Sequence, residues 1–80
     1  MSYDDLIEVA LRRTSKEALK LAKLVGLELP IESTYGVLTV EEVELGYKKV
    51  YVIVRYYKIN DEAYRQLLWV QGSVANSTVN

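Results

Sequence analysis

The chain contains no cysteine and no histidine. Without thiols it can build neither a disulfide framework nor a thiolate nucleophile. Without imidazole it lacks the commonest general base and the commonest transition-metal ligand. Small secreted domains are usually stapled by disulfides, so their absence points to a cytoplasmic protein. The opening stretch MSYDDLIEVALRR begins with acids and has no small-residue cleavage site, unlike a secretory signal. Long apolar runs are missing as well. The longest, Val50 to Val54, is far short of a membrane span, so no membrane association is expected. Nor is there an excess of either charge: 10 basic and 11 acidic side chains leave a net charge of −1, which selects neither nucleic acid nor an acidic partner.

What is present suits a folded domain. Half of the 80 residues are apolar and about a quarter are charged. The expectation is a single compact domain over 1–72 with an uncharged, flexible tail over 73–80. A chain this short buries only about 60% of its unfolded surface, so self-association or a partner is expected to contribute to its stability. Abundant Lys, Glu, Tyr, Val and Leu with one Met suit a thermophile. The charges are segregated. Glu28, Glu32, Glu41, Glu42 and Glu44 lie in a stretch without Lys or Arg, whereas Lys48, Lys49, Arg55 and Lys58 follow without an acid.

Apolar spacing at Ile7, Leu11, Thr14, Ala18, Leu21, Ala22 and Val25 predicts an N-terminal helix over about 3–25, N-capped at Ser2 and ended by Gly26. Thr14 with Glu17 spells a second capping box, so the helix is either bent or two short helices meeting near Thr14–Ser15. Residues 27–32 alternate like a short strand that Pro30 confines to an edge or demotes to a loop. A strand at 37–45 has Leu38 and Val40 inward and a register change at Glu41–Glu42. Leu45-Gly46-Tyr47 is a hairpin loop, and Lys48 to Ile59 forms the longest strand. Asn60 reads as an N-cap, with Asp61 and Glu62 in the first turn of a C-terminal helix that Gly72 ends. The fold class is thus α+β: N-terminal helix, small antiparallel β-meander of two to three strands, C-terminal helix. Asn76-Ser77-Thr78 matches a glycosylation acceptor by chance.

Four constellations carry functional readings. On the third strand, alternation puts Val50, Val52, Val54 and Tyr56 on a core face, and Tyr47, Lys49, Tyr51, Ile53, Arg55 and Tyr57 on the other. Rings interleaved with cations suit single-stranded nucleic acid; equally, they suit an ordinary solvated strand whose cations pair with the neighbouring glutamates. On one continuous helix, Arg12, Lys16, Lys20 and Lys23 fall within about 80°, with Arg13 at the margin. That stripe is either a phosphate footprint or a solvated face. The five glutamates lack any nucleophile, oxyanion hole or phosphate loop beside them, so they read as solubilising charge or a partner surface, and no enzyme activity, metal, cofactor or small-molecule substrate is expected. Finally, Trp69 with Tyr64 and Leu68 is either core or a dimer anchor.

The stretch YYKINDEAYRQLL resembles the end of a winged helix-turn-helix wing running into its last helix. It does so through Tyr57, Ile59, Asn60, Asp61, Glu62, Ala63 and Leu67, with Ala63 where the family usually has Gly. TSKEALKLAKLVGL resembles a helix of that fold leading into a strand. The resemblance implies DNA binding, with Arg12, Arg13, Lys16, Lys20 and Lys23 on or beside a recognition helix and Tyr47 to Lys49 at the wing tip. Only two helices fit before Gly26, so the variant would be truncated or completed by a dimer partner. The expected function is that of a small nucleic-acid-binding protein, for DNA or RNA. It would hold the phosphate backbone through Arg12, Arg13, Lys16, Lys20, Lys23, Lys48, Lys49, Tyr51 and Arg55, and self-associate through Tyr64, Leu68 and Trp69. The alternative is a protein–protein interaction module, a homo-oligomer or small subunit of a complex, with no nucleic-acid role.

Overall fold

The computed structural model describes residues 4–71; the expected Ser2 cap, the Gly72 stop, the tail and Asn76-Ser77-Thr78 lie outside them. Helices α1 (Asp4–Arg13) and α2 (Lys16–Leu24) precede strands β1 (Ile31–Ser33), β2 (Gly36–Leu45), β3 (Lys48–Ile59) and β4 (Glu62–Val70). The strands form one antiparallel meander in the order β1-β2-β3-β4.

The N-terminal helix is two helices, and the break has a visible cause. In a continuous helix the Ser15 N–H would bond the Leu11 carbonyl. Here it donates to the Val40 carbonyl of β2 at 2.7 Å, while Thr14 N–H turns back to Leu11. The Thr14 hydroxyl donates to the Ala10 carbonyl and shares a hydrogen bond with the Thr39 hydroxyl. Ser15, rather than Thr14, then caps α2 by accepting from Ala18 N–H at 3.2 Å. β1 begins after Pro30 and lies at the sheet edge, so the expected strand over 27–32 is shifted and shortened.

The C-terminal helix expected over 61–70 is strand β4, and this corrects the fold class. Residues 60 and 61 are the two-residue turn of a hairpin, with Ile59 opposite Glu62. Asn60 and Asp61 have φ of 52° and 70°. Both values belong to the left-handed region that a two-residue hairpin turn demands and that Asn and Asp tolerate better than most side chains. What reads as a cap with acids in a first helical turn is therefore turn chemistry. Gly36 at the start of β2 is the other constrained position: its φ is +129°, and a Cβ there would collide with the Tyr56 carbonyl oxygen.

One face of the sheet is the core. Val37, Thr39, Glu41 and Val43 of β2 stand opposite Tyr56, Val54, Val52 and Val50 of β3. Leu6 and Ala10 of α1 pack on Val37, Val52, Val54 and Tyr56. The inward residues of β2 are thus Val37, Thr39 and Glu41, not Leu38 and Val40, which point to the other face with Ile53 and Arg55. β2 pairs with β3 without interruption through Glu41–Glu42; the irregularity lies instead between β3 and β4, at Ile53/Val54.

A substitution distinguishes hairpin from helix by its sign. Asp61→Gly relieves left-handed strain and should raise stability by up to about 1 kcal/mol. In a helical first turn the same change would lower it by a similar amount. Denaturant unfolding of the two proteins reads the difference.

Candidate functional site: the open sheet face and helix α2

The second sheet face is built by the alternate residues of the strands. It carries Leu38, Val40, Glu42 and Glu44 of β2, Lys49, Tyr51, Ile53, Arg55 and Tyr57 of β3, and Glu62, Tyr64, Gln66 and Trp69 of β4. α1 lies on the core face, so among the described residues this face is covered only along its β2 margin, by α2. The Tyr51 hydroxyl donates to the Glu17 carboxylate of α2. That acceptor, with some burial, pushes the Tyr51 phenol up to about 12. At the far end of β3, Tyr51 also exchanges hydrogen bonds with Gln71, through its own N–H and carbonyl.

Two grooves open between α2 and the sheet. One, of 580 Å³, is lined by Glu17, Lys20, Leu21, Leu24, Val40, Tyr51 and Gln71 among others. The other, of 440 Å³, is lined almost wholly by apolar residues, including Leu21, Leu27, Ile31, Leu38, Val40 and Ile53. Across the sheet the surface continues into Trp69, opposite Ile53, and Tyr64, stacked on Tyr57 with ring centroids 5.4 Å apart. Tyr64, Leu68 and Trp69 all lie on an edge strand and are 41%, 47% and 45% exposed. Trp69 is therefore not a core residue of this chain. Among the described residues no group of acids could hold a metal ion, and no helix is long and apolar enough to cross a membrane.

The expected cations do not assemble into one surface. With the helix broken, Arg12 and Arg13 belong to α1 and Lys16, Lys20 and Lys23 to α2. The Arg13 charge acts on Tyr56 on the core side, Lys20 lines the groove beside Tyr51, and Lys23 lines another groove with Glu28 and Glu32. On β3, Lys49 lies 3.8 Å from Glu42. Arg55 donates to Gln66 at 3.0 Å and sits 4.1 Å above the Tyr57 ring, which leaves that ring occupied on one side by Arg55 and packed against Tyr64. Lys58 is bound to Asp5 at 2.5 Å, and its ammonium lowers the Asp5 carboxyl below the usual range. Lys48 and Tyr47 are exposed at the β2–β3 turn. The open sheet face as a whole holds Glu42, Glu44 and Glu62 against Lys49 and Arg55, an excess of acid.

Glu41, expected to be surface charge, is 6% exposed. It accepts from the Tyr56 hydroxyl and from the Arg65 guanidinium at 2.9 Å. Burial and then this carboxylate raise the Tyr56 phenol; the same carboxylate raises Arg65. Both Glu41 oxygens are engaged, one by Tyr56 and one by Arg65, so the cluster ties β4 to the core. The residues that sequence reasoning missed at the surface are Leu21, Leu24, Val25 and Leu27. It assigned Leu21 and Val25 to a buried stripe, yet they are 64% and 73% exposed, and Leu24 is 80% exposed.

Comparison with protein-family models, with curated proteins and with solved structures finds no match for the chain.

Two measurements test this geometry. Glu41→Ala leaves the Tyr56 hydroxyl buried without its acceptor and should cost about 2–3 kcal/mol. Tyr56→Phe in that background should cost much less than it does in the parent, because the group left unsatisfied is gone; a double-mutant cycle by denaturant unfolding reads the coupling. The Tyr51 phenol is raised in the folded state, so its contribution to stability is intact below the unfolded value near 10 and is lost as pH rises through about 12. Tyr51→Phe should flatten the alkaline fall in unfolding midpoint across that window.

Proposed function

We propose that the chain is a protein–protein interaction module, and that α2 with the open sheet face is its binding surface. The observation that carries this reading is the continuous apolar surface from Leu24 and Leu21 through the grooves to Ile53 and Trp69. Scattered exposed apolar side chains are normal for a monomer, but a contiguous patch of this kind marks a contact surface. β4 adds to it. It is a nine-residue edge strand with Glu62 and Arg65 as its only charges, a poor match to the short or charged edges that keep monomers apart. Aromatic anchors inside a mixed polar rim, as Tyr64 and Trp69 are here, suit interface energetics. On the sheet itself, Glu42, Glu44 and Glu62 against Lys49 and Arg55 disfavour phosphate.

A photo-crosslinking residue at position 24 tests the reading, because that side chain reaches solvent at the groove mouth. The expected outcome is a covalent protein–protein adduct, formed by the pure chain or in extract of its own cells, that does not form when the chain is denatured before irradiation. No adduct in either setting would sink it.

Nucleic-acid binding is the second reading, favoured by one observation: Arg12, Lys16, Lys20, Lys23 and Lys48 form no ion pair among the described residues. It assigns phosphate contact to the helices and the turn. Oligonucleotide titration at low salt should then show affinity that falls steeply with salt. Lys16→Glu should weaken that affinity and Arg55→Ala leave it unchanged; equal loss in both variants would return the site to the sheet.

A further inference from the structure

The two grooves beside α2 share Ala18, Leu21 and Val40, so they form one trough of apolar surface. We propose that a second copy of this chain fills it, in a two-fold dimer that sets α2 and the open sheet face of each protomer against those of the other. The proposal rests on the interaction-module reading and names its partner.

Three observations select a copy of the same chain. The first is area. Leu21, Leu24, Val25, Leu27, Tyr64 and Trp69 are all 41–80% exposed, and with the half-buried residues beneath them they offer apolar area on the scale of the ~800 Å² that a standard interface takes from each partner. The second is charge. α2 carries Lys16, Lys20 and Lys23 without an ion-pair partner in the described chain, and the open sheet face carries Glu44 without a cation. Facing α2 to the partner's sheet brings opposite signs together at the rim, whereas a phosphate polymer or an anionic membrane would meet the acids of that face. The third is the shape of the apolar elements. Leu21 and Leu24 of α2, with Val25 at its C-cap, are strongly exposed at the wall of the open trough, so each protomer offers both an apolar row and a groove, which a two-fold contact uses twice.

The test uses the full chain. Sedimentation velocity across a concentration series should show a monomer–dimer equilibrium. The emission of Trp69, the only tryptophan, should shift to the blue as the dimer forms. Leu24→Asp should raise the dissociation constant by at least about 30-fold and abolish the concentration-dependent shift. Position 24 is 80% exposed, so the variant should fold; far-UV circular dichroism and its unfolding m-value check that. A chain that stays monomeric to high micromolar concentration overturns the proposal. So does a dimer indifferent to Leu24→Asp, which would place the contact elsewhere, as along the β4 edge. If the pure chain is monomeric while position 24 crosslinks to a different protein in cell extract, the second-copy proposal falls and the module reading stands. Without any crosslink, both fall.

Discussion

The hydrogen bond from Ser15 N–H to the Val40 carbonyl organises this protein. β1 is only three residues long and pairs with β2 as far as Leu38, so among the described residues the outer edge of β2 beyond that point has no strand beside it. A bare strand edge in a small protein must find donors and acceptors from somewhere. Here the interhelical link supplies one of them. Taking that bond forces the helix to end at Arg13 and restart at Lys16, and the restart carries α2 around the β2 margin to the side opposite α1. The division of the molecule into a covered sheet face and an open one follows from that step.

The consequence for packing is an asymmetry of resources. Leu6 and Ala10 of α1, with Ile7 and Val9 beside them, cover Val37, Val52, Val54 and Tyr56, and the polar groups in that core pair with one another, Thr14 with Thr39 and Glu41 with Tyr56 and Arg65. A buried carboxylate held by a phenol and a guanidinium is expensive unless each lone pair is used, and here both oxygens are. α2 gets no equivalent seat. It is tethered by the Ser15 link and by Tyr51 to Glu17, while Leu21 and Leu24 remain in solvent. A helix with an apolar row that its own chain does not bury gains little from standing free, since short helices owe most of their stability to packing.

Sequence patterning was informative where a segment has one buried face and misleading where it has none or two. β3 was legible because Val50, Val52, Val54 and Tyr56 alternate cleanly over one covered side. β4 was not. Its strand residues are exposed on both faces, so Glu62, Ala63, Tyr64, Arg65, Gln66, Leu67 and Leu68 show no strict period of two, and the acids after Asn60 imitate a helix start. The clue that outweighed this was the two-residue spacing after a long strand, with Asn and Asp both tolerant of positive φ. The helix stripe failed for a related reason. Periodicity at 100° per residue assumes one continuous helix, and it runs in phase through Thr14–Ser15 by coincidence; of the buried residues, Thr14 and Ala22 lie on that stripe, whereas Leu6, Ala10 and Ser15 sit one position off it. No local signal announces that a β-strand edge will capture a backbone N–H in mid-helix.

The site followed the same logic. The basic and aromatic character of Lys48 to Lys58 was read correctly as composition, but composition does not say which groups are already engaged. Once the strands are paired, Glu42 lies by Lys49, Gln66 and the Tyr57 ring take up Arg55, and Asp5 holds Lys58, so three of the four cations of that stretch are engaged inside the chain. Beside the helix cations, what is left over is apolar, and it is visible in the sequence only as a surplus. Half of 80 residues are apolar, and one small core against α1 cannot absorb them all. The residues in excess, Leu21, Leu24, Val25 and Leu27, are consecutive in space beside the uncovered sheet. Where a chain this short places its surplus on one side, the physical chemistry of that surface favours another polypeptide over a polyanion.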